Sequence, residues 1–222
     1  MIEKLFQRFQ ALLESKGVIA NTGSIIDASF VEVPRQRNTR EENKQIKEGK
    51  VPAEWRENPA KESQKDSDAR WTKKNEQTFY GYKDHVKVDK TSKLITAYTV
   101  TDASVHDSQA VEELVDKRDE HHEMFADSAY VGPQIEKLLE KRRIRNRIHE
   151  KGYRNRPLRK RQIEDNRKKS SVRARVEHVF GHITNSMKGF YIRTIGIVRA
   201  RAIIGMINLT YNMVRFVQLQ RA

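Results

Sequence analysis

The sequence predicts an α/β fold, a mixed sheet of three antiparallel strands plus parallel strands, flanked by helices. Three observations predict it. Residues 24–33 (SIIDASFVEV) are rich in β-branched and apolar side chains and stop at Pro34, as a strand does. Two further runs, Thr78–Asp89 and Lys93–Thr101, are joined through Asp89–Ser92, a link too short for a parallel crossover, so they pair antiparallel. Residues 124–142 then read strand, loop and helix, the order that places functional groups at the carboxyl ends of strands in α/β sheets.

The first element is helical. Ile2, Leu5, Phe6, Phe9, Leu12 and Leu13 form a stripe that Gly17 ends, so residues 1–22 are expected to carry an amphipathic helix packed on the rest of the chain. Residues 35–77 are charged, nearly free of aliphatic side chains and contain Pro52 and Pro59. They predict an irregular insertion with one helix near 40–49. Within it, Trp71 beside Lys73 and Lys74 suits base stacking next to phosphate contacts, or equally an anchor of the loop to the core. Asp107 is expected to cap a helical stretch that runs to about Lys117, with His106 exposed at its start or touching a phosphate or metal.

Met124, Phe125 and Ala126 make a short strand, Gly132-Pro133 opens a helix to about Arg142, and 144–148 is a further short strand. Residues 149–171 are expected to be a basic hinge or loop contacting phosphate backbone, including Arg159, Lys160 and Arg161. In 170–191 the apolar residues Val172, Val176, Val179, Phe180, Ile183 and Met187 are spaced by three and four, a helix with one buried stripe. Residues 199–219 predict a long helix apolar nearly all round, hence buried or held by a protein partner.

Charge bounds the partner class. The 222 residues carry 44 Lys plus Arg against 30 Asp plus Glu, a formal charge of +14, which favours a polyanion such as nucleic acid. There are no cysteines, which excludes disulfides and thiolate zinc sites. The start lacks the apolar run of a signal peptide, and the most apolar stretch, 202–214, is too short to span a bilayer. The expectation is a protein with no membrane partner.

Three carboxylates stand out. Asp27 lies inside a strand, where propensity disfavours it. Asp127 ends the strand at 124–126, and Glu177 is the one acid among eleven Lys and Arg from Asn166 onward. Arg173 lies one turn before Glu177, and an exposed pair of this kind contributes only about 0.3–0.5 kcal/mol. Thr184 and Lys188 share the face of Glu177 two and three turns on. The order of elements resembles the ribonuclease H-like fold, in which Asp27 and Asp127 would occupy adjacent strand ends and the later helix would supply Glu177. Three gathered carboxylates raise one another's pKa unless a cation sits between them. All-oxygen ligation favours Mg²⁺ or Mn²⁺, and two such ions can clamp the attacking and leaving oxygens of a phosphoryl displacement. His178 and His182, four apart, also invite a zinc reading. The metalloprotease order needs Glu after the first His, however, and Glu177 precedes it.

The segments IIDAS, FYGYK followed by HDS, ADSAY, and R-x-x-x-E within VRARVEHVFG together resemble the DDE transposases of bacterial insertion sequences, of the IS-five-like type, over about residues 24–215. The resemblance implies a catalytic, metal-binding triad of Asp27, Asp127 and Glu177 holding Mg²⁺ or Mn²⁺, two ions in all. It implies cleavage of DNA at terminal inverted repeats and transfer of the freed 3′-hydroxyl into target DNA. It further implies DNA contacts through Arg173 and Lys188, a homodimer or higher assembly on DNA, and a bacterial, cytoplasmic location, nucleoid-associated when bound. Residues 23–219 would be the catalytic domain and 1–22 the remnant of a longer N-terminal region. Two departures belong with it: Ser170 stands where the family signature has Tyr, and Lys188 lies one turn beyond the signature Lys. The rival reading is a catalytically silent, decayed transposase that only binds DNA.

Overall fold

The computed structural model describes residues 1–36 and 38–221. Helix α1 (Ile2–Ser15) is followed by strand β1 (Gly23–Glu32), and Gly17 takes the left-handed conformation at the helix exit, φ +66°. The insertion carries α2 (Arg40–Lys47), the single turns α3 (Ala53–Arg56) and α4 (Pro59–Glu62), and strand β2 (Arg70–Lys74). Next come β3 (Gln77–Asp89), β4 (Ile95–Asp102), α5 (Val111–Leu114), β5 (Glu123–Phe125), α6 (Pro133–Lys141) and β6 (Arg145–Asn146). Two long helices close the chain, α7 (Lys160–Asn185) and α8 (Ile197–Arg221).

The α/β fold is confirmed. Strand β1 lies between β3, antiparallel, and β5, parallel, and β6 adds a second parallel strand beyond β5. The outer edge of β3 is shared: β2 pairs with its first part and β4 with its second. Gly81 sits at the changeover. Its φ of +146° and the closeness of the Val31 carbonyl, 2.3 Å from where a Cβ would lie, leave no room for a side chain.

Alternation along β1 divides the core. Ile25 packs with Val176, Val179, Ile183 and Leu209 on the side of α7 and α8, whereas Ile26 packs with Val111, Leu114, Ile135 and Leu139 on the side of α5 and α6. Helix α1 docks on α8, with Phe9 edge-on to Phe216.

Four expectations are corrected. Residues 160–171 are helical, so α7 begins well before the apolar stripe and only 149–159 is a loop. The insertion ends in a strand, giving four antiparallel strands rather than three. The cap before α5 is His106, which accepts from Ser108 N–H, while Asp107 pairs with Lys83. The buried side of α8 includes Asn208 and Asn212, whereas Met206, Met213 and Val217 face outward. Asn212 explains its own place, because its amide bonds both the N–H and the C=O of Ile95 on β4.

Candidate active site

Asp27 and Asp127 come together through strand register. Parallel pairing of Gly23 with Glu123, Ser24 with Met124 and Ile25 with Phe125, continued by two residues, sets Asp27 opposite Asp127. Asp27 is 13% exposed; its Oδ1 accepts from Ala28 N–H at 2.9 Å and its Oδ2 from Arg173 Nη1 at 2.7 Å. Asp127 caps the turn after β5, its Oδ1 accepting from Ala129 N–H at 2.7 Å.

Burial pushes the Asp27 carboxyl up to about 6. The Ala28 N–H and the Arg173 charge oppose the rise, and the charge of Asp127 adds to it. Desolvation outweighs the pairing. Asp27 is therefore a carboxylate short of positive charge even with Arg173 in place.

Glu177 reaches this pair through Arg173 rather than directly. Arg173 Nη2 donates to Glu177 Oε1 at 2.7 Å, and Glu177 is 58% exposed. Among the described residues no three His, Cys, Asp or Glu side chains gather closely enough to hold a metal ion. The donor set nevertheless fits Mg²⁺ or Mn²⁺. It is all oxygen, the charge of Asp127 pushes the Asp27 carboxyl up, and Glu177 is exposed.

Two neighbours carried no separate sequence signal. Tyr130, within the ADSAY segment, is fully buried, and its hydroxyl has no partner among the described residues. Burial, then the charges of Asp27, Asp107 and Asp127, hold it well above its ordinary pKa. His149 comes after β6, its N–H donating to Ala126 C=O at 3.1 Å and its Nε2 lying 3.3 Å from Ser170 Oγ. Burial, then Arg173 and Lys169, push its pKa down. Neither is one of the acids a pattern search seeks.

The basic candidates divide. Arg159, Lys160 and Arg161 are exposed at the start of α7. Arg159 and Arg161 also help line an open cavity of about 810 Å³, whose far wall includes Tyr130 and Val131 after Asp127. Lys188 is exposed just past the end of α7. Trp71 meets both expectations in part, its ring 4.8 Å from Tyr80, with Arg35 over it at 5.6 Å, and 40% of its surface open. Lys73 and Lys74 are exposed beside it. The histidine pair does not converge: His178 Nδ1 lies 3.2 Å from Lys93 Nζ, and His182 packs edge-on to Tyr211.

A mixed sheet with two acids at adjacent strand ends, and a third brought near by a crossing helix, defines an α/β protein of the ribonuclease H-like, acid-site class. The chain belongs to the transposase DDE domain family, whose model matches residues 20–213. It is 26% identical over 211 residues to a transposase for insertion sequence element IS1106 from Neisseria meningitidis serogroup B, an alignment covering 90% of this chain and 68% of that protein. No solved structure matches it. Transposases act on DNA, and the family generally uses divalent metal ions. Among the described residues no helix is long and apolar enough to cross a membrane.

Proposed function

We propose that this chain cleaves DNA at the terminal inverted repeats of an insertion sequence and transfers the freed 3′-hydroxyl to target DNA. Asp27, Asp127 and Glu177 would hold Mg²⁺ or Mn²⁺, two ions in all. The observation that carries this is the matched register of Asp27 and Asp127, together with the single guanidinium that links Asp27 to Glu177.

Bound divalent ions would supply positive charge for the attacking and leaving oxygens of the phosphodiester. The remaining work falls to the chain itself. Asp27 and Asp127 are fixed by the sheet and by the Ala28 and Ala129 N–H groups, so their oxygens need no reordering. Arg173, released from the acids, is positioned to meet a scissile phosphate. Exposed Lys188, Arg159, Lys160, Arg161, Lys73 and Lys74 would hold the flanking backbone, with Trp71 as a stacking surface. Residues 23–219 would act as the catalytic unit with residues 1–22 docked on it, working as a homodimer or larger assembly on paired ends in the bacterial cytoplasm and nucleoid.

The test is Mn²⁺-dependent nicking and joining of terminal-repeat DNA by Glu177→Gln and Asp127→Asn, with Mg²⁺ binding followed separately by calorimetry. Loss of both nicking and metal binding, with DNA binding retained, is expected. Nicking that survives either substitution removes the triad. A second reading, DNA binding without catalysis, is favoured by the guanidinium wedged between Asp27 and Glu177. It predicts salt-sensitive binding and no nicking by the unmodified chain.

A further inference from the structure

The row of strand ends that carries the two aspartates has a third member. Strand β5 pairs with β6 through Glu123 opposite Arg145 and Met124 opposite Asn146, which sets Asp127 opposite His149 three residues on. The Arg147 and His149 N–H groups hold that register, donating to Met124 and Ala126 C=O at 2.9 and 3.1 Å. Ile26, Ala126 and Ile148 pack together in the core on the side of α5 and α6. The next residue on each strand turns to the other face, so Asp27, Asp127 and His149 stand side by side toward α7. Helix α7 touches both ends of this row. Arg173 bonds Asp27 at 2.7 Å, and Ser170, one turn earlier, has its Oγ 3.3 Å from His149 Nε2. At about 4.8 Å between strands, His149 is one spacing beyond Asp127 and two beyond Asp27.

The acidic triad gives His149 no task. Burial, then Arg173 and Lys169, push its pKa down, so the ring is neutral near pH 7 and carries one N–H. A Ser170 O–H that donates to Nε2 leaves this N–H at Nδ1, which has no partner among the described residues. The half-buried ring opens on the cavity of about 810 Å³. The cavity wall carries four Lys and Arg, Arg159 and Arg161 among them, against three acids. Of those acids Glu150, next to His149 in the chain, is turned to Gln162 on α7.

We propose that His149 is a substrate-contacting residue, its Nδ1–H donating to an oxygen of the phosphate next to the scissile one, on the side where the strand leaves the acids for the start of α7. The proposal rests on the DNA-cleaving reading above. It gives the bound strand a direction, along the row from Asp27 through Asp127 to His149 and on to Arg159 and Arg161. A neutral donor suits this place. A lysine there would repel the cations that the acids are to hold, whereas an uncharged N–H does not. The charge of the phosphate still makes the bond stronger than one between two neutral groups.

The test pairs protein and DNA variants. Terminal-repeat duplexes carry one methylphosphonate, which replaces a charged oxygen by a methyl group, at the scissile phosphate or at either neighbour. Binding to the whole chain is followed by fluorescence polarisation in Ca²⁺, with the DNA checked intact on gels. A methylphosphonate at one of the two neighbours is expected to weaken binding by the unmodified chain about tenfold, and His149→Ala to weaken binding to unmodified DNA by the same factor. The two losses should not add. His149→Asn, whose amide nitrogen stands where Nδ1 does, should keep both the affinity and the sensitivity. No loss with His149→Ala or with either neighbouring methylphosphonate, or losses that multiply, overturns the proposal. A loss with His149→Asn as large as with His149→Ala overturns it as well, because Nδ1 is then not the donor. Failure of the unmodified chain to bind terminal-repeat DNA overturns the DNA reading itself and this inference with it.

Discussion

Arg173 holds Asp27 and Glu177 at the two ends of one guanidinium, with Nη1 at 2.7 Å from the first and Nη2 at 2.7 Å from the second. The two acids are far apart in the chain, and on the reading proposed above a divalent cation would supply the balancing charge that the arginine now gives. Arg173→Ala should cost about 1–3 kcal/mol in urea denaturation in EDTA, because the poorly hydrated Asp27 loses its counter-ion. Added Mg²⁺ should then stabilise the variant more than the unmodified protein, since the ion no longer competes with the guanidinium. Equal Mg²⁺ stabilisation of the two would show that Arg173 and the metal do not share a place. Arg173→Lys should behave as an intermediate, because one ammonium lacks the planar fork that spans both acids.

Asp84 on β3 predicts an unusual pH response. It is fully buried, its Oδ1 accepts from Asn208 Nδ2 at 3.2 Å, and among the described residues neither its Oδ2 nor Asn208 Oδ1 has a partner. Burial pushes its carboxyl up to about 7, opposed by the Asn208 bond. Its folded pKa thus exceeds the unfolded value. The folded state holds the extra proton between about pH 4 and 7, and this contribution to stability is lost as pH rises through that window, at up to about 1.4 kcal/mol per pH unit. Asp84→Asn should flatten this fall and leave the variant more stable than the parent at pH 8, measured by urea denaturation across pH. A variant that keeps the parent's slope would show that Asp84 does not titrate there.

How much of this was legible in the sequence depends on what each residue touches. The β1 and β5 strands were, because a β-branched run stopped by Pro34 and a short apolar run stopped by Asp127 ahead of the helix-opening Gly132-Pro133 leave few alternatives. With those strands in place, Asp27 and Asp127 fall opposite one another. The first three turns of α7 were not, since an exposed helix needs no apolar stripe, and Ile163 there is itself 55% exposed. Strand β2 (RWTKK) has Trp71 as its single apolar residue, so period-two hydrophobicity is missing at a sheet edge. Asn208 and Asn212 sit unremarked in a helix read as apolar nearly all round, yet each is buried against a β-strand partner that only the tertiary fold supplies. The Arg173 bridge was half legible: spacing gave Glu177, and nothing local gave Asp27.

The insertion should be folded before DNA arrives. Glu42, 7% exposed, accepts from Trp55 Nε1 at 2.6 Å, Thr39 N–H at 2.7 Å and Lys61 Nζ at 3.1 Å, tying α2 to α3 and α4. Glu42→Ala strands the buried Trp55 N–H, so residues 39–62 should open at a cost of about 1–3 kcal/mol. Hydrogen exchange should report faster exchange there and none in β1 or β3. Uniform acceleration throughout the chain would mean that the insertion and the sheet unfold as one unit.

Exposed arginines at the start of α7 should act through phosphate alone. Arg159 and Arg161 line the open cavity that leads away from the loop after Asp127, and neither forms an ion pair among the described residues. A contact of this kind lowers the slope of log affinity against log salt by about 0.9 per phosphate, whatever the base sequence. The double variant Arg159→Ala/Arg161→Ala should therefore lose close to two units of slope and weaken binding equally on terminal-repeat and random duplexes. A loss confined to terminal-repeat DNA would make these side chains readers of base edges. An unchanged slope would take the DNA path away from this end of α7 and toward the side of the site marked by Lys188.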